Sequence, residues 1–381
     1  MKLLVTTLIL FGLSEGAWSK DLNASLSNSS FAESRHESLS AADLIMSDGI
    51  AAAVSNPAYT GGGFKGVKKE NFRMFYFPYV ATNTLITENS ASSSLLTAFS
   101  FSNDFADELT GDDQPSYSRI SLVPAIGFSR VIIAPIYDIQ TSLSQWDSDG
   151  SYNVARQENM GINLSFSMHN DARSFFFGGK MSWLNQSRLT ANTSLATLQD
   201  GDLFKTFKSE NTSSYEAYTA ALGLGYVYKH KLAPSVALVV EDLGVSLYNL
   251  KSSEDPNAKS YMVEENLKLA FGISPNIGTS FGHFNYVLQF DHLSNPDVEF
   301  SDKIKTSLDL NLGPRFADAS LGYLSIGYSS KGASGGLGLK FLFFDLRAAM
   351  YPSEFRSADG KEKESHYTQS ITASVDLSKG I

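Results

Sequence analysis

Residues 160–169 read MGINLSFSMH: Met160, Ile162, Leu164, Phe166 and Met168 alternate with Gly161, Asn163, Ser165 and Ser167. A period of two marks a strand whose two faces meet different surroundings, because successive side chains leave a pleated backbone on opposite sides. One face here is apolar throughout, and the other is small or polar. The rhythm returns at 283–293 (HFNYVLQFDHL), where Phe284, Tyr286, Leu288 and Phe290 take the even places, and again at 303–312 (KIKTSLDLNL) and 366–377 (HYTQSITASVDL).

Working outward from these, fourteen such segments can be marked, near 72–86, 117–128, 131–143, 156–168, 174–187, 216–229, 235–248, 263–273, 280–293, 303–315, 319–329, 335–343, 345–353 and 365–377. Their lengths suit tilted strands that cross a membrane, roughly 9–11 residues, better than the roughly five or six residues of soluble strands. If the first strand runs outwards, the connections alternate between long (87–116, 144–155, 188–215, 249–262, 294–302, 354–364) and short, as in outer-membrane barrels. The connection at 330–334 is the exception, short where a long one belongs. The long connections also gather acidic stretches such as TGDDQ and SSEDPNAK. A soluble β-sandwich alternates too, but strand length, loop alternation and an even strand count together point to an all-β, transmembrane antiparallel β-barrel of about 14 strands.

Composition narrows the setting. The first residues pair Lys2 with the apolar run LLVTTLILFGL and then Ala17-Trp18-Ser19, the pattern of a secretory signal peptide over residues 1–19. Beyond it no apolar run reaches the 18 or more residues of a spanning helix, so any membrane role falls to strands. There is no cysteine among the 381 residues, hence no disulfide framework and no thiol chemistry. A formal charge of -10 argues against a nucleic-acid partner.

Between the leader and the first strand, residues 48–64 read SDGIAAAVSNPAYTGGG. Alanine spacing supports a short helix, and Pro57 ends it, because the residue before proline is pushed out of the helical region. An apolar helix must bury one face, and a barrel of about fourteen strands is too wide for its own side chains to fill. The lumen is therefore the expected place, and residues 20–70 are read as an N-terminal segment and lumenal plug ahead of a barrel over 71–381.

The run Ala52-Ala53-Val54-Ser55-Asn56-Pro57-Ala58, after an acidic residue and before a first strand, resembles the Asn-Pro-Ala signature that precedes the barrel in FadL-type long-chain fatty-acid transporters and their TraF-like and PorV-like relatives. Tyr59-Thr60 stand where Gly-Leu often follows. The resemblance implies a plug in which Asn56, Pro57 and Ala58 fix the turn and act as a gate. It also implies passive uptake of a hydrophobic small molecule or lipid into a lumenal pocket, with exit sideways through a break in the wall. Proline removes a ladder donor and belongs at edges or bulges, which makes Pro124 and Pro135 the candidates for that lateral opening, or for a bulge that only bends the wall. In the first long connection, Leu95, Leu96, Phe99 and Phe105 have loosely helical spacing and form a candidate external lid. The other reading of the barrel is a structural or interaction component serving a secretion or conjugation apparatus.

Catalytic readings are weaker. GASGG at 332–336 matches G-x-S-x-G with Ser334, but a strand pattern follows it where a helix is required, and it reads as a tight glycine turn. His283 and His292 have no arguable triad spacing. DSDG at 147–150 lacks the remaining ligands of an EF-hand loop. No cofactor or metal is expected.

Overall fold

The period-two segments become staves of one closed antiparallel sheet in the computed structural model, which describes residues 37, 39, 42, 44–45, 55–60, 73–85, 116–128, 130–145, 151–170, 172, 174–241, 243, 247–250, 261–262, 266–275, 282–296, 298–312, 322–341, 343–356 and 363–376. A 3-10 turn at Pro57–Tyr59 precedes β1 (Arg73–Leu85), β2 (Ser116–Leu122), β3 (Ala125–Phe128), β4 (Val131–Gln145), β5 (Ser151–His169) and β6 (Phe175–Ser194). After α1 (Leu195–Gln199) and α2 (Gly201–Asn211) come β7 (Thr212–Val227), β8 (Ser235–Glu241), β9 (Leu247–Leu250), β10 (Tyr261–Met262), β11 (Asn266–Ile273) and β12 (Gly282–Phe290). The chain closes with α3 (Phe300–Lys303), β13 (Ile304–Leu312), β14 (Gly322–Ser329), β15 (Gly332–Phe341), β16 (Phe344–Arg356) and β17 (Lys363–Asp376).

Three staves are each interrupted once. β1 and β4 both pair with β2 and with β3, β7 pairs with both β8 and β9, and β10 and β11 continue the ladder opposite β9 and β8. The seventeen segments are therefore fourteen staves, each beside its sequence neighbours, and β17 returns to pair with β1. Among the described strands closure leaves no unpaired sheet edge, the condition for strands to cross a bilayer.

The burial pattern is inverted relative to a water-soluble protein. On β5, Met160, Ile162, Leu164, Phe166 and Met168 are exposed on the outside, whereas Asn159, Asn163, Ser165 and Ser167 are buried on the inside. The same inversion sets Leu308 and Leu310 outside and Ser307, Asp309 and Asn311 inside on β13. An outside this apolar is stable only against hydrocarbon. Aromatic side chains edge the band. Trp183, Tyr218, Tyr328 and Tyr367 stand outward towards the long-connection end, and Phe128, Phe175, Tyr226, Tyr228, Phe341 and Phe344 towards the other. Glu216 accepts hydrogen bonds from Trp183 Nε1 (2.8 Å) and the Tyr218 hydroxyl (2.7 Å), placing a carboxylate at the upper margin of the band.

The wall is uneven in height. β5 and β6 have 19 and 20 residues, whereas β14 has 8 and turns through Ser330 and Lys331 into β15. The exceptional short connection thus stands as the sequence has it. The connection expected over 188–215 is mostly not a loop: β6 runs on to Ser194, and α1 and α2 follow. Ser194 and Asp200 cap these helices by accepting backbone N–H bonds from Thr197 and from Asp202 and Leu203. Leu198, Phe204 and Phe207 pack onto Leu143, Val154 and Leu189, which lie on the outer face of the raised wall. Here alternation fails as a boundary signal because both faces stand clear of lipid. GASGG, expected as a turn, lies in β15, with Ser334 paired opposite Gly327. His283 lies at the start of β12 and His292 two residues past its end.

Candidate functional site

Among the described residues two features stand out against the barrel wall: a chain segment seated on its inner face, and a row of prolines within it.

The segment is built around Asn56. Its backbone is extended (φ -140, ψ 97), as the residue before a proline must be, and Pro57 opens the turn where no N–H is needed. Asn56 Oδ1 accepts from the Ala58 N–H (3.1 Å), and its Nδ2 donates to the Leu44 carbonyl (2.8 Å), so one side chain caps the turn and ties it to an earlier part of the segment. Asn56, Pro57, Ala58 and Tyr59 are all buried. They sit in a groove cut by glycine. Gly178 and Gly223 are ladder partners, and Gly225 lies opposite Phe176. A Cβ at Gly178 would run into the Pro57 carbonyl, one at Gly223 into Asn56 Oδ1, and one at Gly225 into the Tyr59 hydroxyl. Here glycine is required by close approach of the seated segment, its backbone at Gly178 and its side chains at Gly223 and Gly225, rather than by an unusual φ.

Apolar packing extends the seat. Tyr59 meets Phe176 edge-on, with centroids 5.1 Å apart, and joins Leu39, Leu44, Ile45, Ala58, Ala237, Val239, Ala270 and Val287 in one buried cluster. Burying each large side chain contributes roughly 1.5–3 kcal/mol. At its far end the segment is held by hydrogen bonds: Gln289 Oε1 accepts from the Leu44 N–H (3.2 Å), and Ser307 Oγ donates to the Ala42 carbonyl (2.7 Å).

The prolines form the second feature. The β2–β4 ladder pairs Leu122 with Tyr137, and the β3–β4 ladder resumes at Ile126 and Ile133. Between them Val123, Pro124 and Ala125 face Ala134, Pro135 and Ile136 without pairing, and the register sets Pro124 against Pro135. The β4–β5 ladder passes Pro135 unbroken, pairing it with Ile162. On the other side, β1 pairs Tyr76 with Ala125 and Val80 with Leu122, so three residues of β1 span two of the next stave. The β1–β17 register shifts between Tyr76 and Tyr79 as well. Pro78, which the sequence reading did not single out, lies within both irregularities. Three prolines thus fall at one height on consecutive staves, where the ladders between those staves are irregular.

The inner lining changes there. Val123, Ala125, Ile132, Ala134 and Ile136 are inward-facing and buried, an apolar patch in a mostly polar lumen. Just beyond it, Arg119 Nε and a terminal nitrogen reach Asp138 at 2.7 and 3.1 Å, the Ser121 hydroxyl donates to the same carboxylate, and Asn159 Nδ2 donates to it at 3.4 Å. Arg119 and Asp138 are 1% and 0% exposed. A buried ion pair holds only when its remaining hydrogen-bonding sites are filled, and this one is filled across three staves, β2, β4 and β5. It staples the wall beside the gap.

The structure thus brings Pro124 and Pro135 together and seats Asn56, Pro57 and Ala58 on the inner wall. Leu95, Leu96, Phe99 and Phe105 lie outside the described residues, as do residues 1–36 and 147–150. Among the described residues no group of His, Cys, Asp or Glu could hold a metal ion. The glycine groove was missed, although FFFGG (175–179) and GLG (223–225) place glycine where the inner face otherwise carries polar residues.

No family model matches the sequence, and no curated protein matches it. Among solved structures, the chain is similar to the CymD monoaromatic hydrocarbon channel, with a TM-score of 0.51 and 11% identity over 91% of this chain and 98% of that one. It is also similar to the Ralstonia pickettii toluene transporter TbuX (TM-score 0.48, 10% identity, 91% and 98%) and the P. putida toluene transporter TodX (0.46, 10%, 89% and 97%). The likeness to CymD is one of fold: at that level the expectation of a FadL-type barrel holds, over nearly the whole of both chains.

Proposed function

We propose that this protein is an outer-membrane channel for passive uptake of small hydrophobic or amphipathic molecules, with the inner segment as its plug and the proline row as its lateral exit. The observation that carries the reading is the coincidence of wall and lining. The ladder lapses at Pro124 and Pro135 where the inner face turns apolar at Val123, Ala125, Ala134 and Ile136. A molecule with little affinity for water finds apolar side chains on the lumen side of the gap and Ile126, Ile133 and the bilayer on the other. Intact strand ladders oppose such passage, because opening them exposes paired N–H and C=O groups to hydrocarbon. Prolines without N–H groups lower that cost at this height.

In this reading Asn56, Pro57 and Ala58 are the anchored turn of the plug. The solved CymD barrel, of this fold, is named a monoaromatic hydrocarbon channel, which supports a compact hydrocarbon as readily as a fatty-acid chain. The decisive experiment is uptake of a radiolabelled aromatic hydrocarbon and a fatty acid by a porin-poor Gram-negative host, with and without the protein. Faster entry of either, reduced by Pro124→Val with Pro135→Val, supports the channel. Unchanged entry of both, with a stable protein partner recovered on extraction, favours the interaction-barrel reading.

A further inference from the structure

The segment's hold on the wall at Leu44 depends on which way one amide group faces. Gln289 is the next-to-last residue of β12 and is 1% exposed. Its Oε1 accepts from the Leu44 N–H, and its Nε2 donates to Asp291 Oδ1 at 2.7 Å. A side-chain amide has one accepting and one donating end, and turning it over exchanges them. A carboxylate only accepts, so Asp291 draws the NH2 end to itself and leaves the oxygen facing Leu44. Asp291 is fixed in turn by Lys305 Nζ on β13, 2.7 Å from Oδ2, and Lys305 is the ladder partner of Gln289. Lys268 on β11 faces the same group and pairs with Glu241 on β8 at 2.7 Å. The inner wall therefore carries Glu241, Lys268, Asp291 and Lys305 in alternating charge across four adjacent staves.

We infer that Gln289 and Asp291 are positioning residues for the plug: the Asp291 carboxylate, held by Lys305, sets the Gln289 amide so that it accepts the Leu44 N–H and keeps the segment against the wall. This deepens the channel reading above and rests on it. Asp291 is also the first residue after β12, where the connection to α3 and β13 begins, and its own N–H donates to the Lys303 carbonyl at 2.9 Å. The plug is thereby tied to a connection at the long-connection end of the barrel. A displacement of that connection reaches Leu44 through two side chains.

The test is amide hydrogen exchange, followed by mass spectrometry of the peptide containing Leu44, on the detergent-extracted protein and on its D291N and D291E variants. A compact band that slows on boiling confirms an intact barrel in each. An Asn at 291 can present either end of its own amide, so Gln289 is no longer forced. Exchange at Leu44 should then be about tenfold faster, the scale of one lost hydrogen bond to a charge-supported partner, whereas D291E should stay near wild type. Equal exchange in D291N and wild type, with barrels intact, overturns the inference, as does D291E exchanging as fast as D291N. Hydrocarbon uptake measured on the same variants separates the two claims. Altered exchange without uptake in any variant leaves the positioning role standing and removes the channel reading.

Discussion

Pro124 and Pro135 stand opposite each other on neighbouring staves, at the point where the ladder between those staves carries no pairing. Neither can donate a backbone hydrogen bond, so replacing both restores two donors to a gap of matched length. P124V/P135V should let the ladder close, reduce hydrocarbon entry towards the level of cells lacking the protein, and leave heat-modifiable gel mobility unchanged. Uptake at wild-type rate in the double variant would make the gap a bend in the wall and nothing more.

The Arg119–Asp138 pair sits beside that gap and joins β2 to β4. Removing one partner leaves a buried charge, at a cost of about 3–5 kcal/mol. D138A should lower the urea midpoint of the refolded barrel accordingly. D138N, which keeps the shape and part of the bonding, should lose less. A D138A barrel as stable as wild type would mean that water already reaches the pair.

A side chain at Gly223 meets Asn56 Oδ1 and must displace the turn. G223L should therefore unseat the inner segment while the barrel still forms, and, if that segment plugs the lumen as proposed, raise the single-channel conductance in planar bilayers with a normal heat shift. Conductance equal to wild type would show that the seated turn does not block the lumen.

Asp291 supplies a pH dependence. Burial alone would raise its pKa, but the Lys305 and Lys268 cations, with hydrogen bonds from Lys305 and Gln289, outweigh burial and hold it at about 2. A carboxyl depressed in the folded state stabilises that state above its unfolded pKa, about 3.9, and the contribution fades as pH falls from there towards 2. Conductance should be flat from pH 8 to 5 and rise on acidification below about 4. In D291N the rise attributable to this group should already be present at neutral pH. Identical acid responses in the two proteins would assign the rise to other carboxylates.

Leu164 projects from the middle of the apolar band. Leu164→Arg should destabilise the barrel by about 2–4 kcal/mol in lipid, measured by urea unfolding in vesicles, whereas Ser165→Thr on the inner face should change little. Equal effects would count against a lipid-facing outer surface.

Which parts of this molecule the sequence determined by itself follows from the range of the interactions involved. All fourteen staves were legible, because lipid on one side and a polar lumen on the other impose opposite preferences on alternate residues. That is a local signal, complete within ten residues of any one strand. Pro57 as a stop, and Pro124 and Pro135 as ladder breakers, were legible for a similar reason: a missing N–H belongs to the residue itself. Only the tertiary structure decided that Pro124 faces Pro135, that Pro78 joins them, and that Gly178, Gly223 and Gly225 open one groove under Asn56. These depend on the register between strands, which is fixed by closure of the whole barrel and leaves no trace in either strand alone. The helices of the raised wall were missed where both faces leave the bilayer and the alternation stops reporting. The Leu44–Gln289–Asp291 relay joins positions 245 residues apart in the chain. No local pattern carries such a contact, because its energy depends on where a neutral amide finds its acceptor once the lumen has formed.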